Sequence, residues 1–275
     1  FLKGGAATLS AMLMANSLHA KARKKGLKHF VFVNLRGGPS QMELWDPKPG
    51  VTNGGITKGV MTKLENLLFS ENLQGLAEIS NNMAVIRTTS RIGEHQLGQY
   101  YVGTGGFGPN PVLKHPGMCS VVGWGHYSEK NDLPPVVSLG NAQSAGFLGN
   151  NFDPYVAGNN TKELVVGSAY KKSVEQADNM RSEYYRVSPL SKSDDFNEEI
   201  MHQSRASRLS LGISTQVFDV SGESQKTSEA YGNGFGQNCL KTRRLLMAGV
   251  PAVHLSIGGW DTHQDNFTKC ASMAR

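Results

Sequence analysis

Apolar runs that end in glycine pairs dominate the pattern of the chain. Residues 252–257 alternate apolar with small or polar side chains, and residues 29–35 are almost continuously apolar. Alternation predicts a β-strand, and the continuous run predicts a strand covered on both faces. Gly258-Gly259 and Gly37-Gly38 follow these runs and let the backbone turn at little steric cost. Because ligands of open α/β sheets bind beyond the carboxyl ends of strands, we expect a site at these turns.

Weaker patterns predict the other elements. Residues 83–86 form a short apolar run typical of a strand, and residues 59–80 carry leucines at roughly helical spacing. Residues 234–247 have a helical apolar stripe and predict the clearest helix. Residues 107–160 are rich in Gly, Pro and Asn and predict loops around one further strand, whereas residues 169–213 are polar and helix-prone.

The composition is that of a globular protein. The 275 residues suffice for one large α/β domain or two small ones, with 39% hydrophobic and 18% charged residues. The formal net charge is +6, but much of it lies in one N-terminal basic run, residues 21–28. Such a run is more typical of the solvated flank of a processing site than of nucleic-acid binding, so we expect no nucleic-acid partner. Three distant cysteines form neither a CxxC pair nor a disulfide framework.

Residues 1–22 are interpreted as part of an export signal. Their apolar stretch is too short to span a bilayer, and Ala20-Lys21-Ala22 has small residues where a signal peptidase reads. Phe1-Leu2-Lys3 resembles the tail of a twin-arginine signal, which exports folded proteins. The sequence therefore predicts a periplasmic or extracellular location and no transmembrane segment. An ordinary amphipathic first helix is the alternative.

Acidic and imidazole side chains follow both main strands. Asp261 and His263 lie two residues apart after Gly259, a spacing that suits a hard or borderline metal ion. Glu43 and Asp46 follow the first strand and are further candidate ligands. The alternative is that these residues only cap helices and satisfy turns.

Hydroxyl and cationic side chains follow the strand ends as well. Ser40 is a candidate nucleophile or hydrogen-bond donor. Arg87 and Arg91 suit a phosphate or sulfate group, because guanidinium presents paired donors, and His95 is a candidate for proton transfer. Alternatively, the arginines pair with surface acids and His95 begins a helix. No GxSxG sequence is present, so a Ser-His-Asp hydrolase is not supported.

An ordered set of short sequences resembles one known family. These are Gly37-Gly38-Pro39-Ser40-Gln41, Trp45-Asp46-Pro47-Lys48-Pro49, Thr104-Gly105 with His115-Pro116, Pro134-Pro135-Val136-Val137, Gly146-Phe147-Leu148-Gly149, Phe235-Gly236-Gln237 and residues 258–266. Together they resemble the domain-of-unknown-function 1501 family of exported bacterial proteins. The resemblance implies the alkaline phosphatase/sulfatase superfamily, and with it an α/β/α sandwich around a mainly parallel sheet with metals at its carboxyl edge.

The resemblance also implies roles for residues. Asp261 and His263 match metal-site positions, and Glu43 stands where the family usually has Asp. Ser40 and Thr88 lie near the superfamily's nucleophile position. The sulfatase Cys-x-Pro-x-Arg sequence is absent, so a formylglycine mechanism is not supported. The family's later Glu-Phe-Gly-Arg-Thr and Gly-Arg-Asp-His runs are also absent. We therefore expect residues 27–275 to be an alkaline phosphatase-like domain that lacks its C-terminal part.

These observations predict an exported, metal-dependent hydrolase of phosphate or sulfate esters. Its cofactor would be zinc, calcium, magnesium or manganese, and its substrate an anionic small molecule or polysaccharide ester. The alternative is a non-catalytic exported binding or assembly protein that keeps the fold, which Glu43 and the unassigned nucleophile favour.

Overall fold

A computed structural model of the chain describes residues 29–88, 92–128, 133–157 and 215–274, with residues 176, 179–180, 182–184 and 186–187 between the last two ranges. The chain divides into two compact units. The first contains the chain up to Val33 and Tyr100–Ser256, and the second contains Asn34–Gln99 and Ile257–Arg275. The expected export signal lies outside the described residues.

Strands and helices are interspersed along the chain. In order they are β1 (Phe30–Leu35), α1 (Gln41–Leu44), β2 (Gly59–Met61), β3 (Leu68–Ser70), α2 (Gln74–Glu78), α3 (His95–Gly103), α4 (Met118–Gly125), β4 (Val136–Leu139), β5 (Tyr155–Val156), α5 (Gln225–Tyr231), α6 (Phe235–Met247), β6 (Ala252–Ile257) and α7 (Asn266–Ala274). Among the described residues, no helix is both long and apolar enough to cross a bilayer.

The central sheet has the strand order β1-β6-β4-β5. β4 pairs in parallel with both β5 and β6, and Val136 lies opposite Ala252. Phe30 N donates to Pro251 O and Arg36 N donates to Ile257 O, so β1 also runs parallel to β6. The carboxyl ends of β1 and β6 therefore lie side by side, at the edge where ligands of open α/β sheets bind.

Helices cover both faces of this sheet in the first unit. Val253 and Leu255 of β6 belong to an apolar cluster with Leu245 of α6. On the opposite face, Cys119 of α4 packs with Ala252 of β6. Because successive strand residues point to opposite faces, one strand contributes to both clusters. The result is the predicted α/β/α arrangement around a parallel sheet.

β1 departs from the expected burial. Its Val31 and Val33 are 38% and 47% exposed, although we predicted a strand covered on both faces. The strand lies at the edge of the sheet, and within the first unit its core contacts come from Phe30 and Phe32 on one face. An uninterrupted apolar run therefore did not distinguish an edge strand from a central one.

The second unit has its own core. Phe69 of β3, Leu44 of α1 and Cys270 of α7 are buried in one apolar cluster with Trp260, which directly precedes Asp261. β2 and β3 form an antiparallel hairpin, with Val60 opposite Phe69. This cluster anchors the segments on both sides of the candidate site.

For residues 59–80 the leucine spacing favoured one or two helices, but the structure has a helix only in the second half of this range. These residues form the β2–β3 hairpin and only then the short helix α2. The Thr62 hydroxyl closes the hairpin loop by donating to Leu67 O at 2.8 Å, and Asn66 adopts a left-handed backbone with φ 56°. Asn tolerates that conformation well, so turn chemistry outweighed the helical spacing of the leucines.

Two further segments differ from the sequence-based expectation. Residues 83–86 form no strand, although Met83 and Val85 pack against the core of the second unit. Within residues 107–160 the prediction missed α4. A β-carbon at Gly123 of that helix would lie 2.5 Å from Val136 Cγ2, so glycine here serves close helix–strand packing and does not mark a loop. The predicted helix at residues 234–247 is confirmed by α6.

Candidate functional site

The candidate site begins where β1 and β6 end, in the second unit. Beyond these strands the backbone stays paired, because Trp260 N donates to Arg36 O at 3.3 Å. Trp260 is buried, with 4% of its surface exposed. This pairing brings the segment after β1 next to the segment that carries Asp261.

Gly37 and Gly38 allow a close approach to the acidic segment. Both have positive φ angles, 108° and 74°. A β-carbon at Gly37 would lie 2.5 Å from the backbone nitrogen of Asp261, and one at Gly38 would lie 3.6 Å from Cε1 of His95. The glycine pair therefore lies directly against two of the predicted site residues, and a side chain at Gly37 has no room.

Asp261 faces two histidines. Its Oδ1 lies 2.9 Å from Nε2 of His263, and its Oδ2 lies 3.5 Å from Nε2 of His95. The side chains are 48%, 82% and 54% exposed for Asp261, His263 and His95, so all three are accessible to a ligand. His95 also begins α3, and the functional and structural interpretations of this residue are thus compatible.

The turn that contacts His95 also carries Ser40. Ser40 stands at the N-cap of α1, but its side chain makes no capping hydrogen bond. It is partly buried. Ser40 follows Gly38 by two residues, so their α-carbons lie at most about 7 Å apart. Its hydroxyl is thus left uncommitted in the segment whose Gly38 lies against His95.

Asp46 is surrounded by donors. Its Oδ1 accepts from Lys48 Nζ at 2.8 Å and forms a short contact with Arg87, while its Oδ2 accepts from Gln41 at 3.0 Å. Burial alone would raise the pKa of Asp46, but the hydrogen bonds from Lys48 and Gln41 and the charges of Arg87 and Lys48 outweigh it and lower that pKa. Asp46 is therefore an ionised partner of two cations.

Glu43 lies apart from these groups. It is 2% exposed, and the Thr57 hydroxyl donates to its carboxylate in a short hydrogen bond. Thr88 is exposed beside Arg87, whereas Arg91 lies outside the described residues. Among the described residues, no group of three or more His, Cys, Asp or Glu side chains is arranged to hold a metal ion.

The predicted site residues that the structure describes thus fall into three separate sets. Asp261, His263 and His95 are in contact, Asp46 and Arg87 form a second group, and Glu43 is a third. The sequence analysis missed Lys48. The signal was present in Asp46-Pro47-Lys48, because the rigid proline holds a cation two residues from an acid.

The comparison with known proteins identifies one family. The sequence profile of the family described as "Protein of unknown function (DUF1501)" matches residues 27–275. That range contains all residues of the candidate site. No curated protein and no solved structure matches the chain.

Proposed function

The chain belongs to the DUF1501 family, and we propose that it is an exported, metal-dependent hydrolase of phosphate or sulfate esters. The observation that carries the proposal is the contact between the Gly37-Gly38 turn and the histidine–carboxylate group. Ser40 follows this turn with a side chain that makes no capping hydrogen bond, and His95 lies against Asp261. A nucleophile, a base and a group that orients the base are the parts that covalent ester hydrolysis requires.

Ser40 is the proposed nucleophile. Its Oγ forms a bond to phosphorus or sulfur, and its proton passes to the imidazole of His95. The bond to the ester oxygen breaks, and that oxygen takes the proton from His95. Water then repeats the sequence on the ester of Ser40, releasing phosphate or sulfate. Asp261 orients His95 and stabilises its protonated form. The sequence around Ser40 is not GxSxG, so the proposed arrangement is not that of the α/β-hydrolases whose nucleophile that sequence marks.

Asp261 and His263 are the proposed metal ligands. Carboxylate and imidazole form a donor set that zinc and manganese accept. Asp261 and His263 would supply two of the ligands, and two protein ligands suffice for ions that are bound together with a phosphate substrate. When bound, such an ion polarises the ester and stabilises negative charge. The accessibility of both side chains fits a site open to substrate.

A binding protein without catalytic activity is the second candidate function. Its support is specific: Glu43 is bonded to Thr57 and Asp46 to two cations, so both predicted ligands are already engaged within the fold. In that case the site would recognise an anionic ester without cleaving it. Thr88, the other predicted hydroxyl nucleophile, lies on the surface next to Arg87 and would serve as a hydrogen-bond donor.

Metal content and ester hydrolysis test the proposal together. We expect near-stoichiometric divalent metal by elemental analysis and turnover of an aryl phosphate or an aryl sulfate. Both should be lost in the variant Asp261→Ala/His263→Ala. Asp265→Asn is the matched control, because this acid is exposed in the same loop and Asn tolerates its φ of 53°. If the protein is folded but contains no metal and shows no turnover, the proposed hydrolase activity is contradicted and the binding function is favoured.

A further inference from the structure

Lys48 and Arg87 converge on one oxygen atom. Lys48 Nζ lies 2.8 Å from Oδ1 of Asp46, and Arg87 Nη1 contacts the same Oδ1. The two cations are therefore no more than two hydrogen-bond lengths apart, about 6 Å. Gln41 fixes the carboxylate from the other side through Oδ2. Both positive charges are thus held in place by one buried acid.

The two cations of this group outnumber its one acid, and both cations are partly exposed to solvent. Asp46 supplies one negative charge for two positive ones, and its side chain is only 11% exposed. The side chains of Lys48 and Arg87 are 47% and 38% exposed. Lysine carries three donors and arginine five, while Oδ1 of Asp46 takes one from each. A single cation would satisfy the acid, and the second adds repulsion that a bound anion would relieve.

We propose that Lys48 and Arg87 form a binding site for a tetrahedral oxyanion group, with Asp46 as the positioning residue. Arginine provides paired donors for two oxygens and lysine a point charge for a third. The ligand class is a phosphate or sulfate group, free or esterified. The inference rests on the proposed function for its assignment to substrate, but binding of the ion is measurable without turnover.

Gln41 connects this site to the nucleophile. It directly follows Ser40, and its side chain donates to Asp46 Oδ2 at 3.0 Å and to Arg87 O at 3.4 Å. A change in the position of the cations is therefore transmitted to the residue next to Ser40. The short segment from Gly38 to Gln41 thus lies against His95 at one end and binds Asp46, the acid between the two cations, at the other.

Titration with inorganic phosphate and with inorganic sulfate, followed calorimetrically, tests the site. We expect Lys48→Gln and Arg87→Gln each to weaken binding about tenfold, and Lys48→Arg to retain it. Lys63→Gln and Arg243→Gln are matched controls, since both residues are exposed. Thermal unfolding of each variant reports whether it is folded. Binding should also weaken with added sodium chloride, because the cations are partly exposed.

The outcomes separate this site from the proposed function. If phosphate or sulfate binds in a manner that depends on Lys48 and Arg87 but the protein shows no turnover, the oxyanion site is supported and the proposed hydrolase function is contradicted. If the protein hydrolyses esters but binds neither ion measurably, or binds them equally in all variants, the proposed oxyanion site is contradicted and the proposed hydrolase function still stands. If Lys48→Gln and Arg87→Gln lower only the thermal midpoint, the group is structural and the proposal fails. Preference between the two ions identifies the ester class.

Discussion

The missing side chain of Gly37 is what allows Asp261 to lie where it does. A β-carbon at Gly37 would come within 2.5 Å of the backbone nitrogen and 3.1 Å of the β-carbon of Asp261. The backbone of Gly37 also has φ 108°, which side chains rarely tolerate. The position of the central acid of the candidate site therefore depends on a residue that carries no functional group.

Replacement of Gly37 by alanine should both destabilise the protein and displace Asp261. We expect Gly37→Ala to lower the free energy of unfolding by about 3 kcal/mol, because strain and a clash add. Gly50→Ala is the control, since Gly50 has φ 79° but nothing within 4 Å of its added β-carbon. It should cost only the strain, about 1 kcal/mol. Urea unfolding measures both; equal losses would contradict the close approach.

Ser40 should be dispensable for stability. Its side chain makes no cap for α1, so we expect Ser40→Ala to change the free energy of unfolding by less than about 0.5 kcal/mol. Ser224 stands at the N-cap of α5 and accepts from Thr227 N at 3.1 Å. Ser224→Ala should cost about 1 kcal/mol. A larger loss in Ser40→Ala than in Ser224→Ala would show that Ser40 is structural.

His254 should make the protein less stable in mild acid. Ser138 Oγ donates to Gly140 O, so at 3.2 Å it accepts from His254 Nδ1. Burial lowers the pKa of His254 from 6.5 to about 4, so the unfolded chain binds the proton more readily. Between pH 6.5 and about 4, stability should therefore fall as pH falls, by about 3 kcal/mol in total. This slope should be missing in His254→Gln when urea unfolding is measured across that range; an unchanged slope would contradict it.

Asp46 should make the free energy of unfolding depend on pH in a more acidic range than His254 does. Its pKa is lowered in the folded protein, so its stabilising contribution is complete above the unfolded value of 3.8 and disappears as pH falls through the folded value. We expect Asp46→Asn to reduce the free energy of unfolding by about 2 kcal/mol at pH 6, because Arg87 and Lys48 lose an ionised partner. Urea unfolding of both proteins should converge well below pH 3.8. A difference that persists there would contradict the ion pairing.

The sequence predicted the parts of the fold that rest on strong local patterns. β1, β6 and α6 were found because their apolar residues repeat over six or more positions. The β2–β3 hairpin was missed because a side-chain hydrogen bond from Thr62 and the left-handed Asn66 fix its loop, and neither alters apolar periodicity. α4 was missed because its segment is rich in glycine, which was interpreted as a loop, although Gly123 serves packing against β4.

The sequence predicted which residues belong to the candidate site better than it predicted which of them lie in contact. A mainly parallel sheet was implied by the family resemblance, but the pairing of β1 with β6, which brings the two glycine turns together, was not predicted. The contact of His95 with Asp261 depends on the path of the chain between them, which no local pattern specifies. Asp46 was predicted as a metal ligand, but its carboxylate is engaged by Lys48, Arg87 and Gln41. Its metal role, like that of Glu43, stays a prediction.

The most direct test of the account is the turnover of an aryl phosphate and an aryl sulfate by the purified protein, with and without added zinc, manganese, magnesium and calcium. We predict metal-dependent hydrolysis that falls at least a hundredfold in Ser40→Ala and is unchanged in Ser224→Ala, with both variants folded. Hydrolysis that persists in Ser40→Ala, or no hydrolysis of either ester under any of these conditions, would contradict the proposed function.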